Sequence, residues 1–174
     1  QNDSEAQYNL GVTYYEGKDV TKDIQKAIHY FSLAASSNYL KAHFNLGAIY
    51  EKGEFVKKDI KKAIYHYTQA ASQDDIDAQY NLGLIYETGE YVKQDIKKAI
   101  YYYSKAANQN HLEAQYNLGV IYHEGKYVTR DINKAIHYYF QAAKQNYNNA
   151  LYNLGIIFYE GIHVTRDIEK AIHF

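Results

Sequence analysis

Ala78-Gln79-Tyr80-Asn81-Leu82-Gly83 is the stretch from which the rest of the chain can be read. It returns almost letter for letter at Ala6 to Gly11, Ala42 to Gly47, Ala114 to Gly119 and Ala150 to Gly155, each copy starting 36 residues after the one before. A fixed period of this size marks a stacked repeat array, in which each unit buries its apolar face against its neighbours and no single central core exists. Such an architecture points towards binding rather than chemistry.

Outward from the repeated stretch, the spacing predicts two helices per unit. Ala6, Leu10, Thr13 and Tyr14 share one face of helix A at 100° per residue. Gly11 sits beside that face. A glycine inside a helix costs about 1 kcal/mol against alanine, so its recurrence predicts close approach of the partner helix. Gly17 suits a left-handed helix end. The six residues Gly17 to Lys22 then form a loop, with Val20, Val56, Val92, Val128 and Val164 expected to be buried and to pin it. Thr21 or Asp23 starts helix B, as Asp3 or Ser4 starts the first helix A. Ile24, Ala27, Ile28, Phe31, Ala34 and Ala35 make the apolar stripe of helix B. Asn38, Asp74, Asn110 and Asn146 follow it, residue types that tolerate the left-handed region. All ten glycines fall at the Gly11 and Gly17 positions, and proline is absent, so no helix is forced to kink.

Composition narrows the function classes. Apolar residues make up 47% and charged residues 22% of the 174, the balance of a folded globular chain. A net charge of −1 argues against a dedicated nucleic-acid binder, which would carry a basic surplus. No apolar run approaches the roughly 18 residues of a membrane span. The lack of cysteine removes disulfides, thiolate metal sites and cysteine nucleophiles together. No cofactor is expected, and the residues do not specify a compartment.

The pattern Ala-x-x-x-Leu-Gly-x-x-Tyr-x-x-Gly, then Val-x-x-Asp-x-x-Lys-Ala, then Ala-Ala, closely resembles the Sel-like repeat (SLR) family. The second copy carries it as Ala42, Leu46, Gly47, Tyr50, Gly53, Val56, Asp59, Lys62, Ala63, Ala70 and Ala71. The tetratricopeptide elements Leu-Gly-x-x-Tyr and Ala-x-x-x-Phe are visible at Leu10, Gly11, Tyr14, Ala27 and Phe31. Residue 7 departs from the tetratricopeptide Trp, being Gln7, His43, Gln79, Gln115 and Leu151, and the helix B aromatic is Tyr30, His66, Tyr102, Tyr138 and Phe174. The resemblance covers nearly the whole chain. It implies an all-α fold, a right-handed α/α superhelical solenoid with a 36-residue period and helix A on its concave side. It implies one SLR domain over residues 1–174, with repeats starting near 6, 42, 78, 114 and 150 and the last incomplete. It also implies adaptor roles, including in protein quality control and in bacterial dealings with host cells.

On the helix A wheel, Glu5, Tyr8, Val12 and Tyr15 point away from the Leu10 face, and the resemblance sets them in the groove. One row is then Tyr8, Phe44, Tyr80, Tyr116 and Tyr152; a second is Tyr15, Glu51, Glu87, His123 and Tyr159. Aromatic rings with a polar tip suit peptide recognition, and the same rings could equally pack between repeats. Asn9, Asn45, Asn81, Asn117 and Asn153 form a third row. An Asn amide donates and accepts at once, which matches a peptide main chain; the alternative is that each Asn bonds the neighbouring repeat. Helix A carries an acidic surplus (Glu16, Glu51, Glu87, Glu124 and Glu160 among others), which favours neutral or basic partners, although charge runs are usually solvated faces.

Enzyme readings fare badly. His29, His137 and His173 share a position with Tyr65 and Tyr101, and His66 alternates with tyrosine, which reads as surface packing rather than a ligand set. No His-Glu-x-x-His, nucleophile elbow or phosphate loop occurs. The sequence therefore predicts a non-catalytic scaffold that takes a protein or extended peptide on helix A. An enzyme or cell-wall-ligand binder using the same groove is a second reading, and a structural spacer a third. The fifth unit stops within helix B, where Ile168, Ala171, Ile172 and Phe174 form an apolar stripe. Either the natural chain continues, or this end is covered; end-to-end self-association is the corresponding expectation.

Overall fold

A computed structural model describes residues 3–161 and 164–173, without the side chain of His173. The described residues are all-helical: α1 (Ser4–Glu16), α2 (Ile24–Ser36), α3 (Leu40–Lys52), α4 (Ile60–Ala71), α5 (Ile76–Thr88), α6 (Ile96–Asn108), α7 (Leu112–Glu124), α8 (Ile132–Ala143), α9 (Asn148–Glu160) and α10 (Ile168–His173). Odd-numbered helices are helix A of each repeat, and even-numbered ones helix B.

The recurrent polar residues explain why each repeat folds as a pair. Helix A ends on a glycine in the left-handed region, as at Gly53 with φ 67°. A Cβ there would also lie 2.8 Å from the Lys58 Cα, so glycine is required twice over. The loop closes with Asp59 N–H donating to the Tyr50 carbonyl at 2.9 Å, a bond repeated at Asp23, Asp95, Asp131 and Asp167. The same aspartates cap helix B: the Asp59 carboxylate accepts from Lys62 N–H at 3.1 Å. Lys62 Nζ then reaches back over the Tyr50 ring, 4.8 Å from its centroid. The consensus Gly, Asp, Lys and Tyr are thus one folded corner. Helix B ends with Asn38, Asp74, Asn110 and Asn146 at φ between 60° and 65°, as their residue types predict.

The chain divides into two compact units, one holding the residues up to Leu82 together with Glu90–Lys93, the other holding Gly83–Gly89 and the residues from Gln94 on. In the first, Ile24, Ala27, Phe31, Ala34, Ala42, Leu46 and Ile49 form a core between α1, α2 and α3. The Glu90–Lys93 loop joins that unit because Lys58 Nζ lies 3.8 Å from the centroid of Tyr91. In the second, Ile132, Ala135, Tyr139, Ala142, Ala143, Ala150, Leu154 and Ile157 form the equivalent core.

The close approach of the partner helix at the helical glycine is made by a ring: a Cβ on Gly47 would lie 2.6 Å from Cδ1 of Tyr67, and Gly11, Gly83 and Gly119 face Phe31, Tyr103 and Tyr139 in the same way. Two expectations need correction. The loop valines are less covered than expected. Val20 is exposed and Val56, Val92, Val128 and Val164 are partly buried; Val56 and Val164 pack against the cores, and the loop's hydrogen bond and cation–ring contact hold it as well. In the first repeat Ala6 is exposed and Leu10 is 43% exposed, although Leu46, Leu82, Leu118 and Leu154 are fully buried. At the other end Ile168 and Ile172 are exposed, while Phe174 and the His173 ring lie outside the described residues.

Candidate interaction surface

The aromatic row of helix A is half-buried at Tyr8, Phe44, Tyr80 and Tyr116, and Tyr152 is 68% exposed. Three of these rings rest on a helix B ring of their own repeat. Tyr8 lies 5.7 Å from the Phe31 centroid, Phe44 5.8 Å from Tyr67 and Tyr116 5.8 Å from Tyr139. Tyr8 and Tyr116 also touch the residue at the N-cap of the following helix A, Tyr39 at 5.2 Å and Tyr147 at 5.1 Å. Packing and exposure coexist in this row.

The second row is bound to those same helix B rings. In the first unit, Tyr67 O–H donates to Glu51 Oε2 at 2.6 Å. In the second, Tyr103 O–H meets Glu87 Oε2 at 2.5 Å, and Tyr139 O–H lies 3.4 Å from His123 Nδ1. The asparagine row completes the chain of bonds. The Asn81 amide hydrogen-bonds the Tyr67 oxygen and the Asn153 amide the Tyr139 oxygen, each reaching back to the preceding repeat. Asn45 Nδ2 donates to Tyr8 Oη at 3.4 Å. Asn9 is exposed and Asn117 half-buried. A helix A acid or histidine, a buried tyrosine and an asparagine of the next helix A thus form a polar relay. Burial and the adjacent Glu51 push the Tyr67 hydroxyl far above the usual tyrosine range, so it stays a donor at any physiological pH. Burial, followed by the Arg130 charge, pushes His123 down, which leaves it neutral near pH 7.

Tyr67, Tyr103 and Tyr139 were not among the residues the sequence singles out for the surface. The signal for them lay within the repeats. Where helix B has Phe31, which lacks a hydroxyl, helix A has Tyr15; where helix B has tyrosine sixteen positions on, helix A has Glu51, Glu87 or His123. Tyr15 instead lies under Lys22 Nζ, 5.4 Å from its centroid. Tyr159 is exposed, with the Arg166 guanidinium 5.3 Å from its centroid.

Two hollows of the second unit adjoin helix A residues of these rows. One of about 460 Å³ is lined by Tyr116, Val120, His123, Glu124, Arg130, Tyr139 and Asn153, and so opens onto the relay. The other, about 480 Å³, is apolar and is lined by Leu151, Gly155, Ile156, Ile168 and Ile172 with Tyr152, Tyr159 and Ala171. It includes Gly155, whose counterparts Gly11, Gly47, Gly83 and Gly119 each face a helix B ring. Among the described residues no three His, Asp or Glu side chains gather as a metal set, and no helix is long and apolar enough to cross a membrane.

Comparison with known proteins agrees with the repeat register. The family model described as Sel1 repeat matches residues 4–39, 40–75, 76–111, 112–147 and 148–174. A protective antigen of uropathogenic Escherichia coli displaying an SLR fold is 34% identical with a TM-score of 0.91, over 99% of this chain and 37% of that one. A Sel1 repeat protein from Oxalobacter formigenes is 35% identical with a TM-score of 0.82, over 99% of this chain and 70% of that one. Cysteine-rich protein B of Helicobacter pylori is 28% identical with a TM-score of 0.56, over 74% and 92%. The chain thus spans a little over a third of the length of the Escherichia coli antigen. No curated protein matches it. Five consecutive matches leave almost no residue outside the repeat register, and the chain belongs to the Sel1 repeat family.

Proposed function

We propose that the chain is a non-catalytic scaffold that holds an extended segment of a partner protein against helix A. Sel1 repeat proteins generally mediate protein–protein interaction. The observation that carries the finer reading is the relay. It holds Glu51 and Glu87 by one carboxylate oxygen each, beside half-exposed rings of the same helices. A carboxylate already oriented loses little freedom when it accepts a further donor, and the neighbouring rings supply apolar area with a polar tip. A peptide N–H, lysine or arginine is the complementary group, so the favoured partner segment is neutral or basic.

A peptide array probed with the wild-type chain and with Glu51→Gln plus Glu87→Gln tests this. Glutamine retains an acceptor for the tyrosine hydroxyl but removes the charge. Binding to basic peptides should fall at least about tenfold, the scale of one charge-assisted hydrogen bond. Equal binding of the same peptides by both proteins would rule out helix A as the contact surface.

A further inference from the structure

The second repeat departs from the others at two positions that touch. It has His43 where three other repeats have Gln7, Gln79 and Gln115, and His66 where they have Tyr30, Tyr102 and Tyr138. The two Nδ1 atoms are 3.2 Å apart, and His43 is only 6% exposed. His66 is therefore no surface residue exchanged freely for tyrosine, as its alternation in the sequence suggests. It keeps the ring stack that the tyrosines make, lying 5.9 Å from Tyr50 at an interplanar angle of 7°, and meets Tyr65 edge-on at 5.0 Å. His43 keeps the glutamine's bond. Gln79 and Gln115 donate from Nε2 to the Ala71 and Ala107 carbonyls of the preceding helix B, and His43 bonds the Ala35 carbonyl. The pair therefore joins α3 to α4 within the second repeat and, through Ala35, to α2 of the first.

We propose that His43 and His66 form an acid-sensitive latch between the first two repeats: as a neutral pair they share one proton and hold the joint, and protonation of the pair opens it. A hydrogen bond between two ring nitrogens needs one donor and one acceptor. One added proton leaves an imidazolium beside a neutral ring that can still accept; a second added proton makes both rings donors only and sets two cations in contact in a partly buried site. Around the pair only the Ala35 carbonyl favours a cation, on His43, and burial outweighs it. Lys62, one turn before His66 on α4, adds a third positive charge, Tyr50 and Tyr65 are neutral, α2 presents the Ala35 carbonyl, and no carboxylate acts on either ring. Lys62 also disfavours a metal ion there, and among the described residues no third ligand joins the pair.

The sign follows from burial. Desolvation, with the neighbouring His43 and Lys62 charges, pushes His66 down to about 4, and desolvation lowers His43 as well. Both rings are below the ordinary value of 6.5, so the open state takes up protons first as pH falls. The latch is fully formed above about pH 6.5 and is lost progressively towards pH 4. For His66 alone the opening constant should rise on the order of tens of fold between pH 7.5 and 4.5.

The test compares thermal unfolding and amide exchange in α3 for the wild type and for His43→Gln plus His66→Tyr, the residues other repeats use at these positions. Every aspartate cap is shared, so their acid titration cancels in the difference. The wild type should lose more stability than the variant from pH 7.5 to 4.5, and its α3 amides should exchange faster. Ring titration of the wild type by NMR is an independent reading that does not depend on the variant folding. Parallel pH curves, or a His66 midpoint near 6.5, would overturn the latch.

Discussion

Leu10 and Leu46 occupy the same repeat position, yet one is 43% exposed and the other fully buried. Gly11 and Gly47 also share a position, and both face a helix B ring at nearly the same distance, 2.5 and 2.6 Å from an added Cβ. The two comparisons separate what a repeat does for itself from what its neighbour does for it. The glycine socket is made within one unit. The pocket around Leu46 is made with helix B of the repeat before it, through Ala27, Phe31 and Ala34. An array of this kind is a sum of unit stabilities and interface terms, and the two positions sample one term each.

Substitutions can break this comparison or sharpen it. Leu46→Ala should cost about 2–5 kcal/mol, the range for truncating a buried leucine, while Leu10→Ala should cost well under half as much. Urea unfolding of both variants checks the ratio, and equal costs would remove the distinction. Gly47→Val and Gly11→Val should each cost about 1–3 kcal/mol or more, because the new side chain drives into Tyr67 or Phe31. Here the two repeats should agree, and a harmless Gly11→Val would show that the socket is not internal. Tyr67→Phe should cost about 1 kcal/mol by removing the bond to Glu51, as hydrogen-bond deletions do, and leave the ring packing intact. Differential amide exchange should place that loss at the α3–α4 pair. The smallest effect concerns asparagine. Asn81→Ala should cost about 0.5–1.5 kcal/mol, since its amide holds Tyr67, whereas Asn9→Ala on the exposed first helix should be close to neutral. Melting temperatures of the two variants measured side by side decide that point.

What the sequence by itself determined is the local and the periodic. The 36-residue spacing names the architecture, and Gly53, Asp59 and Asn38 announce a helix end, a cap and a left-handed turn because each acts on backbone within a few residues of itself. Tyr8 and Asn45 were legible as belonging to one face for the same reason, since a helix wheel needs only local geometry. Only the tertiary structure decided what those faces meet. Tyr67 joins Glu51 across sixteen residues and Asn81 across fourteen, and His43 finds His66 across twenty-three. None of these spacings is a property of one helix; each is set by how helix B crosses helix A and how the next helix A lies on both. The burial of Leu46 was equally hidden, because it is conferred by side chains of the preceding helix B and not by the helix that carries it.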